Sequence, residues 1–229
     1  MTAGRLWLAG DPAAELDAAR LELARLHAQK GKSLRDVWVS LAEVASQALR
    51  VERVGVWTLI DEGRALRCRY LLQHSNHQLF QGAVLRRQDF PAYFDAMGQH
   101  RAIVADDAIG SAMTHQLRAA YLEPLGIVSM LDAPIYVEGR IVGIVCHEHT
   151  GEQRHWSEAD CAFAGAVADN IARRQVEHER QNAESALQAY QRHLLELNRM
   201  EAIGRMAANI AHEFPGIIGA GHGLREVAR

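Results

Sequence analysis

Apolar residues near the N-terminus recur every three or four positions, which is the spacing of a helix with one buried face. Residues 1–32 contain one such stretch, and Pro12 suits the first turn of a helix. A second stretch covers residues 34–49, where Ser33 followed three positions later by Asp36 forms a capping-box pattern. The pattern predicts an N-terminal helix followed by a second helix.

Beyond these helices, apolar and polar residues alternate, which is the pattern of strands with one buried face. Residues 53–73 predict a hairpin with a turn around Asp61–Gly63, and residues 128–149 predict a second hairpin. The polar-rich segment between them mixes loops, short helices and a short strand at Ala102–Val104. A long segment of this kind inside a compact domain is more often a binding lid than a filler, and we call residues 74–126 the lid. The predicted fold class is α+β, an antiparallel sheet flanked by helices.

The last part of the chain returns to helical spacing and keeps it to about Phe214. Ser157 and Asp160 form another capping pattern at its start. The apolar residues then follow the three-four spacing of a coiled-coil seam, namely Leu187, Tyr190, Leu194 and Leu197. The register shifts at Met200 and Ile203, which locally changes the winding of a supercoil. A parallel homodimer is the simplest way to bury this seam.

Composition and charge exclude several classes of protein. The 229 residues carry a formal net charge of -3, so no general attraction to nucleic acid is expected. No apolar run approaches the roughly 18 residues of a membrane span, and the N-terminus does not have the pattern of a secretory signal. The three cysteines, Cys68, Cys146 and Cys161, have no CxxC spacing, which argues against a disulfide framework and a zinc site. We therefore expect a cytoplasmic protein that binds neither nucleic acid nor membrane.

Histidines near the end of the second hairpin raise the question of a metal site. His147 and His149 share one face of the predicted strand, and a third ligand would have to come from a residue such as His155 or His74. Polar residues that close the edge of a sheet explain the same pattern more simply. We predict no metal site.

Two segments resemble known families. Residues 33–173 look like a GAF domain, most specifically in GIVSMLDAPIYVEGRIVGIVCHEHTGEQRHWSEADCAFAGAVADNIA, and the resemblance implies a sensor domain. The segment EAIGRMAANIAHEF resembles the dimerisation and phosphoacceptor segment of histidine kinases almost position by position. Residues 174–199 would then be a coiled-coil linker helix, and residues 200–229 a partial phosphoacceptor segment.

The second resemblance implies a specific chemistry. His212 corresponds to the histidine that attacks the γ-phosphate of ATP, and Glu213 to an acid that orients or deprotonates it. A full-length kinase of this type uses ATP and Mg²⁺ and passes the phosphoryl group to the receiver domain of a response regulator. Pro215 and Gly216 depart from the family pattern, because a proline inside a helix costs about 3 kcal/mol and the family usually has a polar residue where the glycine stands.

The sequence contains no glycine-rich nucleotide lid, P-loop or magnesium-binding asparagine box. We therefore expect this chain alone to be inactive as a kinase and to be the sensory portion of a longer one. The alternative is a non-catalytic GAF module that binds a ligand and dimerises. A methionine sulfoxide reductase is a third interpretation, but it needs paired reactive cysteines and the three here are dispersed.

Aromatic residues of the lid and the sheet are candidates for a ligand pocket of unidentified specificity. They are Tyr70, Phe80, Phe90, Tyr93, Phe94 and Tyr121. The face of a sheet under a lid is a common place for small-molecule binding. The alternative is that these side chains form a second core under the long loop. A bilin attached through cysteine is disfavoured, because the loop contains no cysteine.

Overall fold

The computed structural model describes residues 12–28 and 33–213, with side chains for residues 13–26 and 33–209. Its helices are α1 (Pro12–Ala28), α2 (Leu34–Leu49), α3 (Pro91–Gln99), α4 (Glu123–Leu125) and α5 (Glu158–Glu213). Its strands are β1 (Arg53–Ile60), β2 (Ala65–Gln73), β3 (Gln78–Phe80), β4 (Val84–Arg86), β5 (Ile103–Ala105), β6 (Ile127–Val137) and β7 (Arg140–Thr150). A π-helix at Arg118–Leu122 precedes α4. The short strand that the sequence predicted at Ala102–Val104 thus lies one residue later.

Local hydrogen bonds explain where the main helices begin. The Ser33 hydroxyl accepts a hydrogen bond from the backbone N–H of Asp36 at 3.2 Å, at the start of α2. The same pattern precedes α5, where the backbone N–H of Asp160 donates to the Ser157 hydroxyl at 3.1 Å and Asp160 Oδ2 accepts from the backbone N–H of Ser157 at 2.9 Å. Each pair satisfies backbone donors that the first turn of a helix leaves free. Both predicted capping patterns are confirmed.

The two predicted hairpins form the centre of a single antiparallel sheet. The strand order is β3-β2-β1-β7-β6-β5, and β4 also pairs with β2. β1 and β7 join the two hairpins, with Val54 opposite His147 and Thr58 opposite Gly143. A register irregularity between Val56 and Trp57 interrupts the pairing of β1 with β2. The α+β fold class, an antiparallel sheet with flanking helices, is confirmed.

Each face of the sheet has its own hydrophobic core. The helix-side core contains residues of α1, α2 and the beginning of α5, packed on residues such as Val54, Val56 and Leu131. The lid-side core contains residues of α3 and of the segment between β5 and β6, packed on residues such as Trp57 and Ile144. The segment between the two hairpins therefore packs on one face of the sheet.

The chain divides into two compact units, residues 1–178 and residues 179–229. The second unit, as far as it is described, is the C-terminal part of α5, and its side chains up to residue 209 are exposed apart from a half-buried Ala202. Its large apolar side chains are between 41 and 71 % exposed, namely Leu187, Tyr190, Leu194, Leu195, Leu197, Met200, Ile203 and Met206. No helix in the described ranges is long and apolar enough to cross a membrane.

Two glycines provide a matched test of the packing. A Cβ atom added at Gly143 would lie 2.1 Å from the backbone oxygen of Trp57, whereas a Cβ at Gly165 in α5 meets no atom within 4 Å. Gly143→Ala should therefore lower the free energy of unfolding by about 1–3 kcal/mol, because β1 and β7 must separate. Gly165→Ala should raise it by up to about 1 kcal/mol, because alanine favours the helix. Urea denaturation measures both, and a shift of the same sign in the two variants would contradict the packing of β1 on β7.

Candidate functional site

A cavity of about 270 Å³ lies on the lid side of the sheet. Its apolar wall consists of Trp57, Leu71, Phe80, Ala83 and Leu125. Its polar wall consists of Arg53, Cys68, Gln73, Gln81 and Tyr121. The residues come from β1, β2, β3, the loop after β3 and the end of the lid, so the sheet and the lid form the cavity together.

One buried carboxylate holds two polar residues of the cavity wall. Arg53 and Glu148 are direct cross-strand partners in β1 and β7. The Nε–H of Arg53 donates to Glu148 Oε2 at 2.8 Å, and the hydroxyl of Tyr121 donates to Glu148 Oε1 at 2.6 Å. Glu148 is only 1 % exposed. Burial raises the pKa of Glu148, and the charge of Arg53 and the hydrogen bonds from Tyr121 and Arg53 offset only part of that increase.

The backbone that carries Tyr121 has an unusual conformation. Tyr121 lies in the π-helix Arg118–Leu122, and its ring meets the ring of Trp57 edge-on, with centroids 6.3 Å apart. π-helical turns are rare and frequently occur at functional sites. The side chain of Tyr121 thus attaches the lid to the cavity wall through one hydrogen bond and one ring contact.

A second polar network lies under the lid and is fully enclosed. The Tyr93 hydroxyl donates to Asp132 Oδ2 at 2.5 Å and lies 3.6 Å from the sulfur of Cys146. The backbone N–H of His147 donates to Asp132 Oδ1 at 3.3 Å. Burial, with a smaller contribution from the nearby charge of Glu148, raises the pKa of Asp132 to about 7, although the hydrogen bond from Tyr93 partly opposes this increase. Burial also raises the pKa of the Cys146 thiol well above its usual range, which makes this cysteine a poor nucleophile.

The six aromatic candidates lie in three different places. Phe80 and Tyr121 line the cavity. Tyr93 and Phe94 are buried in the lid-side core, and Phe90 packs against it. These three therefore belong to the second core under the loop, which was the alternative interpretation of the aromatic residues.

Tyr70 lies on the opposite face of the sheet from the other five. It is buried in the helix-side core and pairs with Val56 just before the register irregularity of β1 and β2. Cys68 and Leu71 both face the lid although three positions separate them, so the alternation of β2 changes phase between them. The structure thus does not bring Tyr70 to the cavity.

Several wall residues of the cavity did not stand out in the sequence. Arg53, Trp57 and Cys68 belong to strands whose apolar pattern indicated only a core. An arginine at the start of a buried strand is the one available signal, because such a charge needs a buried acid as partner. That signal would have pointed to Arg53, but not to Glu148.

The histidines in and just after the second hairpin contact other groups of the protein. His147 is buried on the helix side, its Nδ1 lies 2.8 Å from the carbonyl oxygen of Leu131, and burial lowers its pKa to about 4. His155 is exposed, with Nδ1 2.5 Å from Asp106 Oδ2. No group of three or more metal-ligating side chains lies together within the described residues. His212 and Glu213 are in the last turn of α5, and their side chains lie outside the described part of the chain.

The raised pKa of Asp132 predicts a pH dependence of stability. A carboxyl group whose pKa is higher in the folded than in the unfolded state contributes stability below about pH 4 and loses it as the pH rises towards 7. Asp132→Asn removes this dependence and retains a hydrogen-bonding partner for Tyr93. Between pH 4 and pH 7, the free energy of unfolding of the parent protein should fall by roughly 3–4 kcal/mol more than that of the variant. If the free energies of unfolding of the parent protein and the variant, measured by urea denaturation, change with pH in the same way, the buried, protonated state of Asp132 is contradicted.

Comparisons with known proteins agree on the fold. Solved structures with a similar fold include free methionine-R-sulfoxide reductase from Neisseria meningitidis in complex with its substrate, at 15% identity and a TM-score of 0.62 over 79% of this chain and 99% of that chain. The GAF domain of a phosphoenolpyruvate-protein phosphotransferase from Coxiella burnetii is 16% identical, with a TM-score of 0.59 over 76% of this chain and 99% of that chain. The phycocyanobilin-bound GAF domain from a cyanobacterial phytochrome is 15% identical, with a TM-score of 0.55 over 75% of this chain and 99% of that chain.

At these identities the structural likeness concerns the fold alone. The comparison with curated proteins gave no significant match. The model of the GAF domain family matches residues 33–174, which include the whole sheet and the packed beginning of α5. Because this match covers more than half of the sequence, the chain belongs to the GAF domain family.

Proposed function

We propose that this chain is the sensory and dimerisation portion of a two-component histidine kinase. In this proposal the GAF domain binds a small molecule or a partner and thereby controls how the phosphoacceptor His212 is presented. The observation that carries the proposal is the exposed apolar seam of α5, which leads directly into the sequence EAIGRMAANIAHEF.

The seam supports dimerisation through its spacing and its exposure. Leu187, Tyr190, Leu194 and Leu197 follow the three-four spacing of a coiled coil, and each is at least 41 % exposed. Burial of apolar surface contributes about 25 cal/mol per Å², so a helix with this seam is more stable when paired. A second copy of the same chain offers the same seam in the same register, which makes a parallel homodimer the simplest partner.

The cavity supports a role in sensing. It is bounded on one side by the sheet and on the other by the lid, and most of its wall is apolar, as in many small-molecule sites. Two of the similar structures contain small molecules, a substrate in the sulfoxide reductase and phycocyanobilin in the phytochrome domain. Ligand binding by domains of this fold is the property that supports the proposal for this chain.

The phosphoacceptor role follows from the sequence around His212. Ile210 and Phe214 continue the seam, so a residue between them lies on another side of the helix, where an ATP-binding domain can reach it. Glu213 next to it supplies a carboxylate that orients the imidazole or takes up its proton. ATP and Mg²⁺ bind to a separate domain of such a kinase, and the receiver domain of a response regulator accepts the phosphoryl group.

The alternative function is a GAF module that binds a ligand and dimerises without phosphotransfer. Pro215 and Gly216 favour it, because they follow the phosphoacceptor position where histidine kinases continue with a helix. The likeness to a sulfoxide reductase does not favour that enzyme activity. Cys68 and Cys146 are free and buried, and burial raises the pKa of Cys68 to about 11.

Dimerisation through the seam is tested by placing charges in it. Leu187→Glu combined with Leu194→Glu should convert a dimer into a monomer, because four carboxylates would face each other in the paired helices. Gln188→Glu combined with Gln191→Glu adds the same charge outside the seam and should leave the dimer intact. Size-exclusion chromatography with light scattering measures the mass. A monomeric parent protein at micromolar concentration, or equal effects of the two double variants, would contradict the proposed interface.

Phosphotransfer is tested by adding a separately purified histidine-kinase ATP-binding domain, Mg²⁺ and radiolabelled ATP. The chain should acquire an acid-labile phosphoryl group, and His212→Gln should abolish it. His193→Gln changes another histidine of the same helix and should have no effect. Glu213→Gln should slow the reaction roughly 10²-fold if the acid takes part in proton transfer. No labelling of the parent protein would favour the non-catalytic module.

A further inference from the structure

The cavity presents a single charge to anything that enters it. Arg53 is the one charged residue among those that line the cavity in the described part of the chain. Its partner Glu148 lies behind it and does not contribute to the wall. A molecule in the cavity therefore meets a positive charge, although the pair as a whole is neutral.

The guanidinium of Arg53 has hydrogen-bond donors that Glu148 does not use. It carries five N–H groups, of which Glu148 uses the one at Nε. The Tyr121 hydroxyl interacts with the guanidinium as well. The remaining N–H groups form a planar fork, and this geometry matches the two oxygens of a carboxylate.

The charge balance limits the ligand to one carboxylate. Arg53 pairs with Glu148 through Nε, so the N–H groups at the other end of the guanidinium remain for one further carboxylate. A second negative charge on the ligand would have no cation to meet, since the other polar wall residues are Cys68, Gln73, Gln81 and Tyr121. Its desolvation would then oppose binding.

The size and the walls of the cavity define the rest of the ligand. An engineered apolar cavity of about 150 Å³ in another protein holds benzene. The cavity here, at about 270 Å³, has room for one aromatic ring with a short chain. Trp57, Leu71, Phe80 and Leu125 provide the apolar surface against which such a ring packs.

We propose that the cavity binds a small aromatic monocarboxylate, with its carboxylate on Arg53 and its ring between the apolar walls. This inference rests on the proposed function, in that the cavity is the ligand site of the sensor. It adds the chemical class of the ligand and the residue that selects it.

Three probe molecules test the contributions of the aromatic ring and of the carboxylate separately. Phenylacetate has both the ring and the carboxylate, 2-phenylacetamide has the same shape without the charge, and acetate has the charge without the ring. The full chain should bind phenylacetate roughly 10- to 100-fold more tightly than either of the others, because hydrogen bonds between charged groups are the stronger kind. Isothermal titration calorimetry measures the three affinities at one pH and salt concentration.

Variants of the protein test whether Arg53 causes the preference for phenylacetate over 2-phenylacetamide. The double variant Arg53→Gln/Glu148→Gln removes both charges together, so that no unpaired charge remains buried, and it should bind phenylacetate and phenylacetamide equally. Arg64→Gln changes an exposed arginine outside the cavity and should keep the preference. Ala83→Leu adds bulk at the exposed part of the wall and should weaken phenylacetate binding at least tenfold, which provides a test independent of the ion pair.

The outcomes distinguish this inference from the proposed function. Equal affinities for phenylacetate and phenylacetamide, both lost in Ala83→Leu, would overturn the monocarboxylate class and leave ligand sensing in place. A preference that persists in the double variant would overturn the role of Arg53. If the parent protein binds none of the probes, the inference is overturned and the cavity loses its support as the sensor site. Phosphotransfer to His212 is measured separately and does not depend on these results.

Discussion

The ion pair between Arg53 and Glu148 is the interaction on which the arrangement of this domain depends. It joins β1 to β7, and these strands are the only link between the two hairpins along the described sheet. Two buried charges are costly unless each is paired and hydrogen-bonded, so removal of one partner would leave a penalty of several kcal/mol in the sheet centre. The same carboxylate also fixes Tyr121, and through it the lid. One pair thus connects the pairing of the sheet with the shape of the cavity.

The two faces of the sheet pack against different elements, and β1 contributes side chains to both faces. Val54 and Val56 pack in the helix-side core together with Phe163 and Val167 of α5, whereas Trp57 forms part of the cavity wall. A ligand that moved Trp57 or Arg53 would therefore act on the same strand that supports the beginning of α5. Close-packed cores transmit such small displacements because they have few voids to absorb them. β1 therefore borders both the cavity and the packed beginning of α5.

The two long hairpins and the main helices were predictable from the sequence because their signals are local, whereas β3 and β4 were not predicted. Hairpin turns, capping pairs such as Ser157 with Asp160, and the alternation of strand residues each involve neighbours within a few positions. The cavity was not predictable in the same way. Two residues of its polar wall, Arg53 and Tyr121, depend on Glu148, which lies 95 positions from the first and 27 from the second. Tyr70 was misplaced for a related reason, since an irregular register between paired strands reverses which face a side chain takes.

The enclosed network of Tyr93, Asp132 and Cys146 shows why the lid has a defined position over the sheet. Tyr93 comes from α3, and its hydroxyl meets the sheet at Asp132 of β6 and Cys146 of β7. A neutral Asp132 costs less to bury than an ionised one, and its raised pKa keeps a large fraction of it neutral near pH 7. The lid is therefore held by a neutral network on one side and by the Glu148 ion pair on the other. The network around Asp132 is sealed, whereas Arg53 and Tyr121 border the cavity, so only the second network contributes side chains to the cavity wall.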